Sequence, residues 1–233
     1  MNQLSLAERR FPGYRFGLVL LLLFATFVVM ATGSSSAWSR VVIVMLQSAT
    51  LFAALLASRV SKRALHLTWI IVVLAIAGTI PSLWSDAQDS HAAAFLLNAG
   101  LVAIAPIVIA RALLHRRVVD IQTILGAICI YVLVGMFWSF VYQALAEFGS
   151  SQLFAQIANP SPADTLYFSF VTLTTTGYGD ITAITGVGRA FAVLEALLGQ
   201  IYLVTIVSVL VSQLGRVRSQ PLPASGESSG ESP

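Results

Sequence analysis

Six stretches of this chain are long, apolar and almost free of charge, and they exclude most ways of folding it. They run about Phe16–Thr32, Trp38–Ala57, Ala64–Trp84, Ala92–Leu113, Ile121–Leu145 and Gly188–Gln213. At a helical rise of about 1.5 Å per residue, each has the length to cross a hydrocarbon core about 30 Å thick. Inside such a core there is no water to pair with a bare peptide group, so each segment must satisfy its own backbone, and helices do so. Of the 233 residues, 57% are hydrophobic and 10% charged, whereas a soluble domain carries about a quarter charged. The expected fold class is an all-α membrane protein with six transmembrane helices, its useful partner being the lipid bilayer.

The charges between these stretches predict an orientation. Arg9, Arg10, Arg15, Arg59, Lys62, Arg63, Arg111, Arg116, Arg117, Arg216 and Arg218 all fall on one side of a six-span arrangement. The other side has Arg40 and Arg189, with Asp86, Asp89, Glu147, Asp164 and Asp180. Basic loops stay cytoplasmic, so both termini are expected inside a cell membrane. The net charge of +3 then marks topology. It gives no ground for nucleic-acid binding, because no soluble basic domain is present to do it.

Four parts follow: a cytoplasmic N-terminus (1–15), a four-helix membrane domain (16–117), a second membrane domain (118–215) and a tail (216–233). The tail is poor in apolar residues and rich in Ser, Gly and Pro, and is expected to be disordered. The first apolar run could instead be a signal peptide cleaved near Ser35-Ser36-Ala37. Its length exceeds the usual core of about 7–15 residues, which favours a retained helix. Cys129 lies inside the fifth span with no metal or redox motif around it. His66, His91 and His115 sit near membrane edges, away from Cys or acids at ligand spacing, so no metal site is expected there. No phosphate loop, nucleophile motif or catalytic acid pair appears, and enzymatic activity is not expected. No soluble ligand-binding domain is evident.

Between the fifth and sixth stretches lies Thr174-Thr175-Thr176-Gly177-Tyr178-Gly179-Asp180. Gly177 and Gly179 stand two apart. A backbone that turns successive carbonyls toward one axis alternates left- and right-handed conformations, and glycine takes the left-handed one without steric cost. Such a strand can replace the water around a dehydrated cation with peptide oxygens, and the Thr175 hydroxyl can add one more. Upstream, Ser161 is placed to be a helix N-cap, Pro162 the first helical residue and Asp164 the partner that closes a capping box. The helix that follows, through Thr174, is too short to span. It is expected to dip in from the outer side and to aim its negative end at the path of a cation.

The stretch Asp164–Ile181, DTLYFSFVTLTTTGYGDI, resembles the pore region of prokaryotic potassium channels, and with its flanking helices the likeness covers roughly residues 119–214. The usual filter reads T-V-G-Y-G, and here it reads T-T-G-Y-G. The resemblance implies a re-entrant pore helix and filter loop between helices five and six, with K⁺ as the ion. Carbonyls of Thr175, Thr176, Gly177 and Tyr178, continuing to Gly179, would line its path. The Tyr178 ring would point away as a spacer and Asp180 would sit at the outer mouth. Since four such strands make one filter and the chain has one, the resemblance implies a homotetramer.

Departures from the family pattern set further expectations. Thr176 stands where valine or isoleucine is usual, and its hydroxyl needs a partner behind the filter. Tryptophans that brace the filter in many members are replaced by Tyr167, which can donate to Asp180, and Phe168, which cannot donate. Glu195, an acid inside a span, is expected to brace the filter by bonding Thr172, Thr174 or Thr176. Gly199 matches the position of a gating hinge, or else allows close helix contact. Phe137, Trp138, Phe140 and Tyr142 read as a lipid-interface belt, with packing around the filter as the alternative. Gln47 and Asn98 are expected to bond between helices. Thr205 and Ser208 would face a cavity or bond back to their own helix. The fourth span carries only Arg111, so the arginine ladder of a voltage sensor is missing. The function expected is passive potassium conduction. A subunit of a potassium uptake transporter and a non-conducting membrane adaptor are the alternatives.

Overall fold

A computed structural model describes residues 15–32, 37–58, 72–73, 77, 88–114, 121–149 and 151–218. Its elements are α1 (Arg15–Thr32), α2 (Ala37–Ser58), α3 (Gln88–Leu114), α4 (Ile121–Phe148), α5 (Pro162–Leu173) and α6 (Gly186–Arg218). Four segments are long and apolar enough to cross a membrane: Trp38–Ser58, Ala93–Leu114, Ile121–Phe148 and Gly186–Val209. The apolar helix Phe16–Thr32 is shorter. The expected third span lies outside the described residues except for Val72, Val73 and Ala77, as do residues 1–14 and the tail from residue 219.

α4 is the spine. It packs against α1, α3, α5 and α6, and α2 closes the far side against α1 and α3. Phe16, Leu23, Leu51, Leu55, Leu101, Ile109, Leu133 and Met136 fill the shared core. In a bilayer, lipid is as apolar as these side chains, so close packing and hydrogen bonds hold the helices together. Gln122 of α4 supplies one such bond, its Oε1 accepting from Phe16 N at 3.1 Å near the start of α1. Cys129 is buried and its Sγ lies 3.8 Å from Phe16 O, a packing role on α1.

Two polar expectations fail in this domain. Asn98 Nδ2 donates to Ala94 O at 2.8 Å, within its own helix. Neither amide atom of the buried Gln47 has a hydrogen-bond partner. Thr26 and Thr50 likewise bond back to carbonyls four residues earlier. A helix carbonyl one turn away is the nearest acceptor in a segment without water, and for Asn98 it wins over the neighbouring helix.

Candidate functional site

The site is built from α5 outward. Ser161 is extended, at φ −75° and ψ 166°, and caps the helix. Asp164 N donates to Ser161 Oγ at 3.3 Å, and Ser161 N donates to Asp164 Oδ2 at 2.8 Å, closing the capping box. Pro162 begins the helix as expected. Thr165 fastens this end to α4: Gln143 Nε2 donates to its Oγ1 at 3.0 Å, and Ser139 Oγ lies 3.1 Å from the same atom. With 12 residues, α5 reaches only about 18 Å at 1.5 Å per residue.

The chain then leaves the helix in an alternating backbone. Thr175 has φ 56°, Gly177 φ 61° and Gly179 φ 79°, so every second residue is left-handed. The two glycines were legible in the sequence; Thr175 was not. A β-branched residue in this region is a genuine outlier and costs about 1–3 kcal/mol, held only where its surroundings over-determine it. The first three amides of the run turn back onto the end of α5. Thr175 N donates to Thr172 O at 2.9 Å, and Thr176 N and Gly177 N donate to Val171 O at 2.9 and 3.4 Å. Among the described residues no hydrogen bond ends on a carbonyl from Thr175 to Gly179.

Side chains brace this loop from its Asp180 end. Tyr167 Oη donates to Asp180 Oδ2 at 2.7 Å, the pairing expected from sequence. That bond to the carboxylate pushes the Tyr167 phenol up to about 12. The Tyr178 ring stacks on Tyr167, with centroids 6.4 Å apart and planes at 6°. Thr176 does find a hydroxyl partner, Thr174, at 2.7 Å.

Glu195 corrects the expectation made for it. It is fully buried, and its partners are Tyr142 and Ser169, with Thr172, Thr174 and Thr176 not among them. Tyr142 Oη donates to Oε2 at 2.7 Å, and Ser169 Oγ donates to Oε1 at 2.5 Å. The acid thus joins α6 to α4 and α5 one layer behind the loop. Thr174 and Thr176 instead bond each other, and Thr174 also donates to Phe170 O at 2.7 Å.

The aromatic residues of α4 also differ from the favoured expectation. Trp138, Phe140 and Tyr142 are buried, and only Phe137 is partly so. Tyr142 meets Phe168 at 4.9 Å and 80°, Phe168 meets Phe154 at 4.8 Å, and Trp138 meets Phe191 at 5.6 Å. Offset and edge-on rings of this kind add about 0.5–1.5 kcal/mol per pair beyond the area they bury. Phe168, which has nothing to donate, is therefore a packing piece.

A short clasp fixes the loop's far side. Ala155 N donates to Thr182 O and Ile184 N to Leu153 O, both at 2.9 Å. Gln156 Oε1 accepts from Thr182 N at 2.9 Å. Thr185 then caps α6, its Oγ1 accepting from Gly188 N at 3.1 Å. This cap starts the helix two residues before the expected Gly188.

On α6, Gly199 packs on the end of α5. A Cβ there would collide with the Leu173 carbonyl oxygen and lie 2.9 Å from Leu173 Cδ1. Close approach thus accounts for this glycine. Tyr131 Oη donates to the same carbonyl at 3.3 Å. The next residue, Gln200, donates through Nε2 to Thr175 Oγ1 at 2.8 Å. Sequence reading gave Gln200 no role; its position beside a glycine that faces α5 was the available signal. Ser208 bonds back to Val204 O at 2.7 Å.

A capped short helix, a left-handed alternation and two flanking apolar helices make up one continuous membrane-embedded module. Residues 121–216 match the family described as ion channel. That segment spans α4 to α6 and contains the whole site. No curated protein and no solved structure gives a match to the chain.

Proposed function

We propose that the protein is a potassium-selective channel, with Thr175, Thr176, Gly177, Tyr178 and Gly179 forming one quarter of its filter. The observation that carries this reading is the alternation of left-handed residues at 175, 177 and 179. It comes with amides tied back to α5 and carbonyls that accept no hydrogen bond among the described residues. Amides engaged on one side leave oxygens for an ion on the other, and K⁺ is the ion whose hydration such carbonyl rings replace. In this reading K⁺ is the transported substrate, α5 is re-entrant, and Asp180, Tyr167, Glu195 and Thr174 hold the filter in shape. A gating hinge would lie at Gly199.

The homotetramer follows from the same logic, since one strand cannot surround an ion. The packing of α6 supports it. Only 11% of its apolar window Gly186–Val209 is buried within the chain, against 56% of Ile121–Phe148. Tyr178 is 71% exposed in the single chain. Four copies around one axis would cover one flank of each α6 and leave another lining a cavity. α3 carries only Arg111 near its end, which argues against gating by a charged sensor in that helix. The chain would sit in the cell membrane with both termini cytoplasmic, by its distribution of Arg and Lys.

The test is planar-bilayer recording of purified protein in asymmetric K⁺ and Na⁺. Reversal near the K⁺ equilibrium potential is expected. Equal permeation by Na⁺ would defeat the selectivity. Flux coupled to a second ion would point to a transporter subunit, and absence of flux to an adaptor.

A further inference from the structure

The bond between Gln200 and Thr175 ties the inner end of the candidate filter to α6 at a single point. Gln200 is exposed in the chain, so burial does not force its amide onto Thr175. The glycine before it brings the α6 backbone against Leu173, and that approach sets the reach of the Gln200 side chain. Thr175 in turn needs holding, because a β-branched residue at φ 56° is conformationally strained. Its amide is held by Thr172 O at 2.9 Å, and its hydroxyl by Gln200 Nε2 at 2.8 Å.

That second bond has an electrostatic side. A threonine hydroxyl has two lone pairs, and the Gln200 N–H occupies one. It also places the positive end of an N–H dipole beside the oxygen, which lowers the pull of that oxygen on a cation. Four such amides would form a collar under the innermost ring of the filter. We infer that Gln200 is a positioning residue that weakens cation binding at the Thr175 ring, so that ions pass readily between filter and cavity. This rests on the potassium-channel reading of the same site.

Barium is the probe, because it is close to K⁺ in size and carries twice the charge. An oxygen ring suited to K⁺ therefore holds it long enough to block. Full-length wild type, Gln200→Leu and Gln200→Met are reconstituted in symmetric K⁺, with Ba²⁺ added on the side of the α6 C-terminus. Both variants replace the amide by an apolar side chain of similar size and lose the donor. The inference expects at least a threefold tighter Ba²⁺ block in both, with K⁺-over-Na⁺ selectivity retained. A merely structural role for Gln200 would not tighten block. Block unchanged or weaker in the variants overturns the inference alone. For a variant that carries no current, Ba²⁺ affinity is measured by calorimetry on the purified protein, and the same criterion applies. A wild type that neither conducts K⁺ nor responds to Ba²⁺ overturns the channel reading and this inference with it.

Discussion

Ser169 of α5 and Glu195 of α6 lie 2.5 Å apart, oxygen to oxygen, behind the glycine-punctuated loop. The same serine hydroxyl is 2.7 Å from Gly135 O on α4. One hydroxyl thus meets both a carboxyl and a carbonyl oxygen, so three helices share a single polar joint. Glu195→Ala leaves the buried Tyr142 hydroxyl without its partner, at a cost of about 1–3 kcal/mol. Glu195→Gln keeps an acceptor for Tyr142 and a polar group for Ser169. Thermal unfolding of the purified protein should fall clearly for the alanine variant and much less for glutamine. Equal unfolding temperatures for wild type and alanine would remove the joint from the account.

Tyr167→Phe removes the donor to Asp180 and leaves the ring stack with Tyr178 in place. Currents should inactivate several-fold faster, with K⁺ selectivity kept. The pH dependence has a definite sign. The phenol's pKa is raised from 10.0 to about 12, so this bond is fully present below pH 10 and is lost as pH rises through about 12. Spectroscopic titration of tyrosine should lose its component near pH 12 in the variant. Identical titration curves would contradict the bond.

Gly199→Ala separates a contact from a hinge. A Cβ at 199 meets the Leu173 carbonyl oxygen, and overpacking of this kind costs about 1–3 kcal/mol. The variant should unfold at a clearly lower temperature than wild type. A variant of unchanged thermal stability but reduced open probability would make the residue a hinge alone.

Gly177→Ala puts a side chain at φ 61°, a region costing an ordinary residue roughly 1–2 kcal/mol. In the proposed tetramer the cost would be repeated in every copy. Loss of K⁺-over-Na⁺ discrimination is expected, and D-alanine introduced by semisynthesis should restore it. Retained discrimination with L-alanine would show that the alternation does not set selectivity.

The capping box, the short helix and the two glycines were legible in sequence because each is a local preference of the backbone. Thr175 was hidden because nothing local favours a left-handed threonine. Its conformation is set by Thr172 and by Gln200, 25 residues away. Glu195 is expected from sequence to bond Thr172, Thr174 or Thr176, and its partners are instead Tyr142 and Ser169. The threonines of the loop are the nearer candidates along the chain, while Tyr142, 53 residues away, reaches it through the packing of α4 on α6. The rings of α4 were misplaced for a related reason. Composition gives aromatic residues near a helix end, and only the partners Phe154, Phe168 and Phe191 decide whether lipid or protein covers them.

Phe27 of α1 meets Phe170 of α5 edge to face, with ring centroids 5.2 Å apart and planes at 87°. The first described helix is thus packed directly against the piece that carries the loop. Thinning or stretching of the surrounding bilayer that tilts α1 would reach the left-handed loop through this one ring contact, by a route that does not pass through α6.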